Sequence, residues 1–442
     1  MAMRRIGNVR GMAVLLLAVC GGVAAAQVNA PDAKRDAEWR QKIRTALHVP
    51  TVLPPLQLKT WSRFAVAKGV TAERVTYDTA DGMIVPAIVY MPSPMPKQKL
   101  PGIVVVNGHG SDKFGWYAFW SGIEFARAGA VVVTYDMIGE GERNSEKRSQ
   151  AGAHDTLALE YGTRLAGLMQ VDLMQAVTLL TTRKDVDAKR IAVVGYSMGA
   201  FVSGIAGAID PRIHAVVLSG GGNYGGAGSY FDRGTRPCQM PPFHALAGIA
   251  GADLRGQILW TLNADRGPTL VMNGLQDTVM DIPHFGPEWF ASLRQQVMVM
   301  HGSERNVFTT IFYPGVSHRP SWVNRDGFLW LDEQIHFANW NHAQIESAPL
   351  THVSEWLKAN DVFIAKNYMP EDREGGLMAV GTDVPGVKRE ELMALPAADW
   401  EKLKDRLTFD AWAAKVMKEY PAEPVVKIEE LPQGLKPGSV VR

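Results

Sequence analysis

The chain has 442 residues, of which 46% are hydrophobic and 21% are charged, and its formal net charge is +1. This composition is typical of a globular protein with one large domain or two ordinary ones, and it excludes a disordered chain. Because neither sign of charge forms a patch or tract, no nucleic-acid partner is expected.

The first residues have the pattern of a signal peptide. A basic start at residues 4–10 is followed by an apolar run at 12–19 and by small residues at 24–26. The run is too short to span a bilayer, which takes roughly 20 residues. We therefore predict a signal peptide over residues 1–26, export to the periplasm or the medium, and no stable membrane insertion after cleavage. The lipidation state of Cys20 is left open.

Residues 27–70 are mixed and polar, and their prolines break any long helix, so we expect an N-terminal arm. Two β-rich runs, 74–77 and 84–90, then flank Asp81-Gly82, which indicates a hairpin. The following segments alternate between buried strands and helices. Strands are predicted at 103–106, 130–135, 191–194, 215–218, 269–272 and 308–313, and helices at 114–127, at 157–181 and from 198.

Continuous runs of Val, Ile and Leu are typical of parallel strands that are covered on both faces. Their alternation with helices predicts an α/β fold with a doubly wound, mostly parallel sheet over residues 71–340. Within it, residues 221–265 form a Gly- and Pro-rich excursion, which we interpret as a cap-like segment over the strand ends. Residues 341–442 are expected to form a C-terminal helical extension and an extended tail.

The strongest chemical signal is Gly195-Tyr196-Ser197-Met198-Gly199. The segment follows a predicted strand and precedes a predicted helix, which is the setting in which G-x-S-x-G holds a nucleophile. The glycines permit a tight turn that exposes the serine hydroxyl, and the helix N-terminus offers free N–H groups to a developing anion. Ser197 is therefore the candidate nucleophile.

A nucleophilic serine needs a base, and the base needs an acid that orients it. Asp277 and His318 follow Ser197 in chain order, and each comes directly after a predicted strand, where open α/β sheets build their sites. Asp265, which precedes its strand, and Asp281, which lies further along the same loop, are the rival acids. We predict Asp277 as the acid and His318 as the base.

An acyl-transfer site also needs donors for the oxyanion of its transition state. The backbone N–H of Met198, directly after the nucleophile, is one candidate. The second is the backbone N–H of His109, with Gly110 as its rival. Both lie in the loop after the 103–106 strand, which we call the oxyanion loop. A role of the His109 imidazole as a second base is the less favoured alternative.

The remaining polar segments are interpreted as structural. The loop at 136–143 follows a strand and combines carboxylates with glycines, and we expect it to brace the oxyanion loop rather than to bind a metal ion. Cys238, the one cysteine after the predicted cleavage site, is expected to be a packing residue. No dinucleotide or phosphate-binding motif is present, so neither a cofactor nor a metal ion is expected.

These motifs resemble those of bacterial acetyl xylan esterase-like α/β-hydrolases, which are related to dienelactone hydrolases. The similar segments are 186–199, 107–113, 136–143, Cys238 with the prolines after it, and 273–277. The resemblance covers roughly residues 70–340. It implies the α/β-hydrolase fold and ester hydrolysis, with acetylated plant cell-wall carbohydrate as a candidate substrate, the same triad and oxyanion roles, and no cofactor.

Aromatic residues after the oxyanion loop and after His318 leave two alternatives open: they stack on sugar rings, or they belong to the core. They are Trp116, Tyr117, Trp120 and Trp322.

Two other functions are weighed against an esterase. A peptidase of the prolyl-oligopeptidase kind shares the order of the triad, but no paired glutamates are seen that would hold a substrate amine. A non-catalytic binding protein on a hydrolase fold would not need a complete triad. The acyl and alcohol parts of the substrate and the oligomeric state are not specified by the sequence.

Overall fold

The computed structural model describes residues 32–150, 152–154, 159–234, 236–318, 322–359 and 378–422. The predicted signal peptide, with Cys20, and the end of the predicted tail lie outside these residues. The strands of the central sheet are β1 (Lys59–Ala67), β2 (Val70–Asp78), β3 (Ile84–Pro92), β4 (Leu100–Val106), β5 (Val131–Tyr135), β6 (Val186–Tyr196), β7 (Ala215–Ser219), β8 (Thr269–Gly274) and β9 (Thr309–Tyr313). A separate two-stranded sheet pairs β10 (Leu350–His352) with β11 (Met378–Val380).

The α-helices of the described residues cover both faces and the end of the central sheet. They are α1 (Ala33–Ala46), α2 (Trp116–Ala128), α3 (Gly162–Thr182), α4 (Met198–Ile209), α5 (Met240–Ala245), α6 (Arg255–Arg266), α7 (Pro287–His301), α8 (Arg325–Ile335), α9 (His342–Glu346), α10 (Val353–Ala359), α11 (Ala397–Leu407) and α12 (Phe409–Glu419). Short 3-10 helices lie at Ala80–Gly82, Gly141–Arg143, Leu159–Tyr161 and Arg389–Leu392.

The strand order of the central sheet is β1-β2-β3-β5-β4-β6-β7-β8-β9. The pairs from β1 to β5 are antiparallel, with the predicted hairpin between β2 and β3, and every pair from β5 to β9 is parallel. The predicted doubly wound, mostly parallel sheet is therefore confirmed.

The central strand β4 shows why its sequence is continuously apolar. All of its residues are buried. Val104 and Val106 join a core that includes residues of α3 and α4, whereas Ile103 and Val105 join a second core that includes residues of α2 and α8. Successive side chains of a strand point to opposite faces, and both faces of this sheet are covered, so no position of the strand favours a polar residue.

The predicted N-terminal arm contains two regular elements that the sequence interpretation lacked. Helix α1 ends before Pro50, packs against α4 and α6, and buries Ile43 completely. Strand β1 pairs with β2 at the edge of the sheet, and its side chains are exposed or half-buried. An edge strand of this kind has no continuous apolar run, which is why the sequence pattern did not indicate it.

The excursion at residues 221–265 is only partly a covering loop. Its last part, α6, packs against α4 and α7, and the side-chain amide of Asn263 donates to the carbonyl oxygen of Gly204 at 2.8 Å. The cap-like interpretation is therefore wrong for α6, which is a layer helix of the core. Because glycines and prolines precede α6, the sequence pattern did not indicate this helix.

Helix α3 bears on the expectation of no stable membrane insertion after cleavage. By length and composition α3 could cross a membrane, but 83% of its most apolar window is buried inside the fold. The helix contacts β4, β6 and α4. Its apolar character is therefore explained by its place in the core.

The described part of the C-terminal segment packs on the central sheet through α11 and β3. Its tryptophans are buried: Trp356, Trp400 and Trp412. The carboxylate of Glu142 accepts from the backbone N–H groups of Ala394 and Leu395 at 2.6 and 3.0 Å, and the indole N–H of Trp400 donates to the carbonyl oxygen of Glu142 at 2.9 Å. The segment is thus fixed to the loop that follows β5.

Candidate active site

Ser197 occupies the sharp turn between the end of β6 and the start of α4. Its φ of 54° and ψ of −112° are strained for a residue with a side chain. A Cβ atom on Gly199 would lie 2.1 Å from the carbonyl oxygen of Val106, and one on Gly195 would lie 2.2 Å from the carbonyl oxygen of Gly199. Both positions of the motif therefore need glycine, and the turn holds Ser197 at the end of its strand.

The structure brings Ser197, His318 and Asp277 together in one hydrogen-bonded series. Nε2 of His318 lies 2.9 Å from Oγ of Ser197, and Nδ1 of His318 lies 2.7 Å from Oδ2 of Asp277. A carboxylate accepts hydrogen bonds, so the Nδ1 atom carries the ring proton and Nε2 is free to accept the proton of the serine hydroxyl. Asp277 follows β8 and His318 follows β9, and both are buried.

The two rival acids are engaged elsewhere. Asp265 lies on α6 and forms an ion pair with Arg40. Asp281 contacts the guanidinium of Arg233 at 3.2 Å and Nδ1 of His284 at 2.5 Å. Since the carboxylate of Asp277 contacts the imidazole of His318, the geometry favours the acid that the sequence indicated.

Two contacts that the sequence did not indicate hold the series in place. The hydroxyl of Tyr196 donates to the carbonyl oxygen of His318 at 2.6 Å, and the backbone N–H of Met280 donates to Oδ1 of Asp277 at 2.9 Å. Tyr196 is the variable residue between the glycine and the serine of the motif. Its position beside the nucleophile was the one signal that could have suggested a role.

The loop after β4 runs directly beside the nucleophile. A Cβ atom on Gly108 would lie 3.1 Å from Cβ of Ser197. The backbone N–H of Gly110 donates to Oε1 of Glu140 at 3.0 Å, so this rival donor is engaged away from the site. The backbone N–H of His109 is the remaining candidate of this loop.

Met198 supplies the other predicted N–H, since it is the first residue of α4 and its backbone follows Ser197 directly. The first N–H groups of a helix have no partner within the helix and carry a partial positive charge. The pKa of the His109 imidazole lies well below its usual range, because burial disfavours the charged form and because Arg236, and His154 when it is protonated, would repel a charge on this ring. At neutral pH the His109 side chain therefore adds no charge to the site.

The loop after β5 braces the oxyanion loop, as predicted. The Lys113 ammonium is buried between the carboxylates of Asp136 and Glu142, with 2.7 Å to Glu142, and these charges raise the pKa of Lys113. The carboxyl group of Glu140 also accepts from the backbone N–H of Gln150 at 3.1 Å. Burial raises the pKa of Glu140 to about 8.

The four aromatic residues near the site belong to the core. All of them are buried: Trp116, Tyr117, Trp120 and Trp322. The ring of Tyr117 stacks on that of Tyr196 with 4.4 Å between centroids, and the indole N–H of Trp322 donates to Oγ of Ser121 at 2.8 Å. Since all four side chains are buried, the structure favours the core alternative over sugar stacking.

Comparisons with known proteins agree with this architecture. Residues 103–364 match the model of the "Alpha/beta hydrolase family". A curated thiohydrolase of Arthrinium phaeospermum, apmlB, is 28% identical over 146 residues, which span 33% of this chain and 42% of that relative. The matched region thus covers less than half of the relative's length.

Two solved structures match this chain in part, and the first of them is similar in fold. The methylesterase BT1017 has a TM-score of 0.54 and 20% identity, and the match covers 87% of this chain and 74% of that one. An acetyl xylan esterase from Paenibacillus sp. R4 has a TM-score of 0.48 and 15% identity, with 69% of this chain and 95% of that one covered.

Proposed function

Because the chain belongs to the alpha/beta hydrolase family, we propose that it is a serine esterase that acts through an acyl-enzyme. The resemblance to α/β-hydrolases that the sequence indicated is confirmed. The proposal depends on one observation, the hydrogen-bonded series from Oγ of Ser197 through the imidazole of His318 to the carboxylate of Asp277. A serine hydroxyl aligned in this way attacks an ester carbonyl once the imidazole accepts its proton.

In the first half of the proposed reaction, Oγ of Ser197 bonds to the carbonyl carbon while its proton passes to Nε2 of His318. The tetrahedral intermediate collapses, the bond to the alcohol oxygen breaks, and the imidazolium returns the proton to the leaving alcohol. Water then attacks the acyl-enzyme with His318 again as base, which releases the acid and restores the hydroxyl. Asp277 fixes the ring and stabilises its charged form.

The negative charge that forms on the carbonyl oxygen needs fixed donors. We assign this role to the backbone N–H groups of Met198 and His109, which flank Ser197 from the helix and from the loop after β4. Donors of this kind need no reorganisation during the reaction, and each contributes about 10²–10³ in rate.

We further propose a small acyl group, with a carbohydrate acetate as the candidate substrate. The support is the resemblance of the sequence motifs to acetyl xylan esterase-like hydrolases. Because the matching curated relative is named a thiohydrolase, a thioester belongs in the same substrate series. Initial rates on acetyl, butyryl and octanoyl esters, on an acetyl thioester and on a methyl glucuronate would identify the preferred acyl group, and a clear preference for octanoyl would contradict this part.

The mechanism is tested with the protein lacking residues 1–26 and p-nitrophenyl acetate as substrate. Ser197→Ala should lower kcat by at least about 10⁴-fold, because the nucleophile and its base act as a unit. A fluorophosphonate probe should label the wild type and leave Ser197→Ala unlabelled. The matched control is Ser303→Ala, which changes a serine of the loop after α7 and should keep full labelling and activity.

A folded Ser197→Ala protein that retains activity would refute the mechanism. A wild type that hydrolyses aminoacyl amides faster than all esters would favour the peptidase alternative. A wild type that is neither labelled nor active on any of these substrates would favour a binding protein on the same fold.

We also propose that the enzyme acts outside the cytoplasm, and the support is the basic start and the apolar run of the first 26 residues. N-terminal sequencing of the protein recovered from the periplasm or medium should begin near Gln27. An intact Met1 in a cytosolic pool would contradict export.

A further inference from the structure

A second cluster includes one residue of the oxyanion loop, and the imidazole and thiol groups of the cluster take no part in the proposed reaction. Its members are His109, His154 and Cys238, which come from three segments that are distant in the sequence. Each offers one metal-ligating atom, and these atoms all lie within 4.8 Å of one another. His154 and Cys238 are buried, and His109 is half-buried.

The distances within the cluster are close to those of a tetrahedral metal centre. Nε2 of His109 lies 3.2 Å from Sγ of Cys238. Zn–N bonds of about 2.0 Å and Zn–S bonds of about 2.3 Å place the two ligand atoms of a tetrahedral site about 3.5 Å apart. The spacing of this pair is therefore compatible with one shared ion, and the third ligand atom lies within 4.8 Å of both.

The imidazole of His154 is already oriented as a ligand would be. Its Nδ1 atom lies 3.2 Å from the carbonyl oxygen of Ile138, and a carbonyl oxygen only accepts hydrogen bonds. Nδ1 therefore carries the ring proton, and Nε2 keeps its lone pair. A histidine that donates one ring N–H to a backbone carbonyl while the other nitrogen faces a metal ion is the usual arrangement in metal centres.

The donor set also selects the kind of ion. Two imidazoles and a thiolate suit Zn²⁺ and other borderline ions, whereas Mg²⁺ and Ca²⁺ prefer oxygen ligands. The thioether of Met198 lies 4.0 Å from Sγ of Cys238, which adds a further soft atom to the surroundings.

We propose that His109, His154 and Cys238 bind one Zn²⁺ ion through two imidazole nitrogens and a thiolate, with a fourth position left to solvent. Binding replaces the thiol proton of Cys238, so one proton is released for each ion bound near neutral pH. The ion ties the loop that carries the backbone N–H of His109 to the segments around residues 154 and 238. This departs from the expectation of no metal site, which was based on the absence of a local ligand motif.

The test uses tag-free protein that has been stripped with a chelator and dialysed. Isothermal titration with Zn²⁺ should show one site per chain. Co²⁺ bound in place of Zn²⁺ should give a near-ultraviolet thiolate-to-metal charge-transfer band. Cys238→Ser should abolish the band, and both Cys238→Ser and His154→Ala should weaken Zn²⁺ binding by at least about 100-fold, since a lost ligand costs more than a lost supporting contact.

His301→Ala is the matched control, because His301 is also a largely buried histidine but lies at the end of α7. This variant should bind Zn²⁺ as the wild type does, and circular dichroism should show that all variants are folded. A wild type that shows no thiolate band with Co²⁺ overturns the proposal without recourse to any variant. Binding that persists in folded Cys238→Ser also overturns it. Both readouts are independent of hydrolysis, so the esterase proposal is not affected by either result.

Discussion

Replacing Glu140 with glutamine separates the charge of this side chain from its hydrogen bonds. The carboxyl group of Glu140 is buried and accepts from the backbone N–H groups of Gly110 and Gln150. Burial raises its pKa from 4.5 to about 8, so the group is mostly neutral at pH 7 in the folded protein and ionised in the unfolded chain. Glutamine has nearly the same shape but cannot ionise, and it loses one of the two acceptors at every pH.

The pKa shift determines both the sign and the size of the effect. A group whose pKa is raised by folding stabilises the protein fully below its unfolded pKa, and this contribution is lost as the pH rises towards the folded pKa. Each unit of pH between 4.5 and 8 therefore removes up to about 1.4 kcal/mol from the free energy of unfolding. Between pH 5 and pH 7 the wild type should lose about 2–3 kcal/mol relative to Glu140→Gln.

The free energy of unfolding is measured by urea denaturation at several values between pH 5 and pH 8, with tryptophan fluorescence as the signal. The constant cost of the lost acceptor shifts the glutamine curve at all pH values and does not change the slope of the difference. Glu146→Gln changes an exposed glutamate of the same region and is the control, whose difference from the wild type should stay flat. A Glu140→Gln difference that is equally flat would show that burial does not perturb this carboxyl group, and the reasoning would fail.

Three further substitutions test the geometry of the site. In metal-stripped enzyme, His109→Ala should lower kcat by about 10-fold or less, whereas His109→Pro deletes the backbone donor and should cost about 10²–10³; equal losses in two folded variants would contradict the backbone role. Tyr196→Phe removes the hydroxyl that donates to the buried carbonyl oxygen of His318. Because this hydroxyl positions the base, the substitution should lower kcat about 10-fold at unchanged KM. It should also lower the free energy of unfolding by about 1–3 kcal/mol. An increase in KM alone would show that Tyr196 acts on substrate binding instead. Gly199→Ala places a Cβ atom 2.1 Å from the carbonyl oxygen of Val106, so the turn must shift and fluorophosphonate labelling should be almost lost; normal labelling would show that the turn tolerates a side chain.

The sequence alone predicts those features of the fold and the site that depend on residues close together in the chain. The continuous apolar run of β4 and the glycine positions around Ser197 have short-range causes, the covering of both faces and the close approach of backbone atoms. The proximity of Asp277 and His318 could be predicted because both follow parallel strands, whose ends meet at one edge of the sheet. These positions are therefore indicated by the sequence alone.

Contacts between distant segments could not be predicted in this way. The backbone N–H of Gly110 donates to the carboxyl group of Glu140, and no sequence pattern in either loop predicts this hydrogen bond. The approach of His109, His154 and Cys238 is the same kind of event, since it depends on how three loops fold back over the sheet. The burial of Trp322 also depends on partners that come from elsewhere in the chain.

The contact between Glu142 and the C-terminal segment has a consequence for the order in which the protein matures. The carboxylate of Glu142 accepts from the backbone N–H groups of Ala394 and Leu395, which leave the ribosome 252 and 253 residues after Glu142. Until then, the buried carboxylate of Glu142 lacks two of its hydrogen-bond donors. The loop that contains Glu140 and Glu142 is then an incomplete brace for the oxyanion loop. We therefore expect a product truncated before residue 394 to lack the two N–H groups that hold Glu142, and with them the complete brace of the oxyanion loop on which the proposed esterase activity depends.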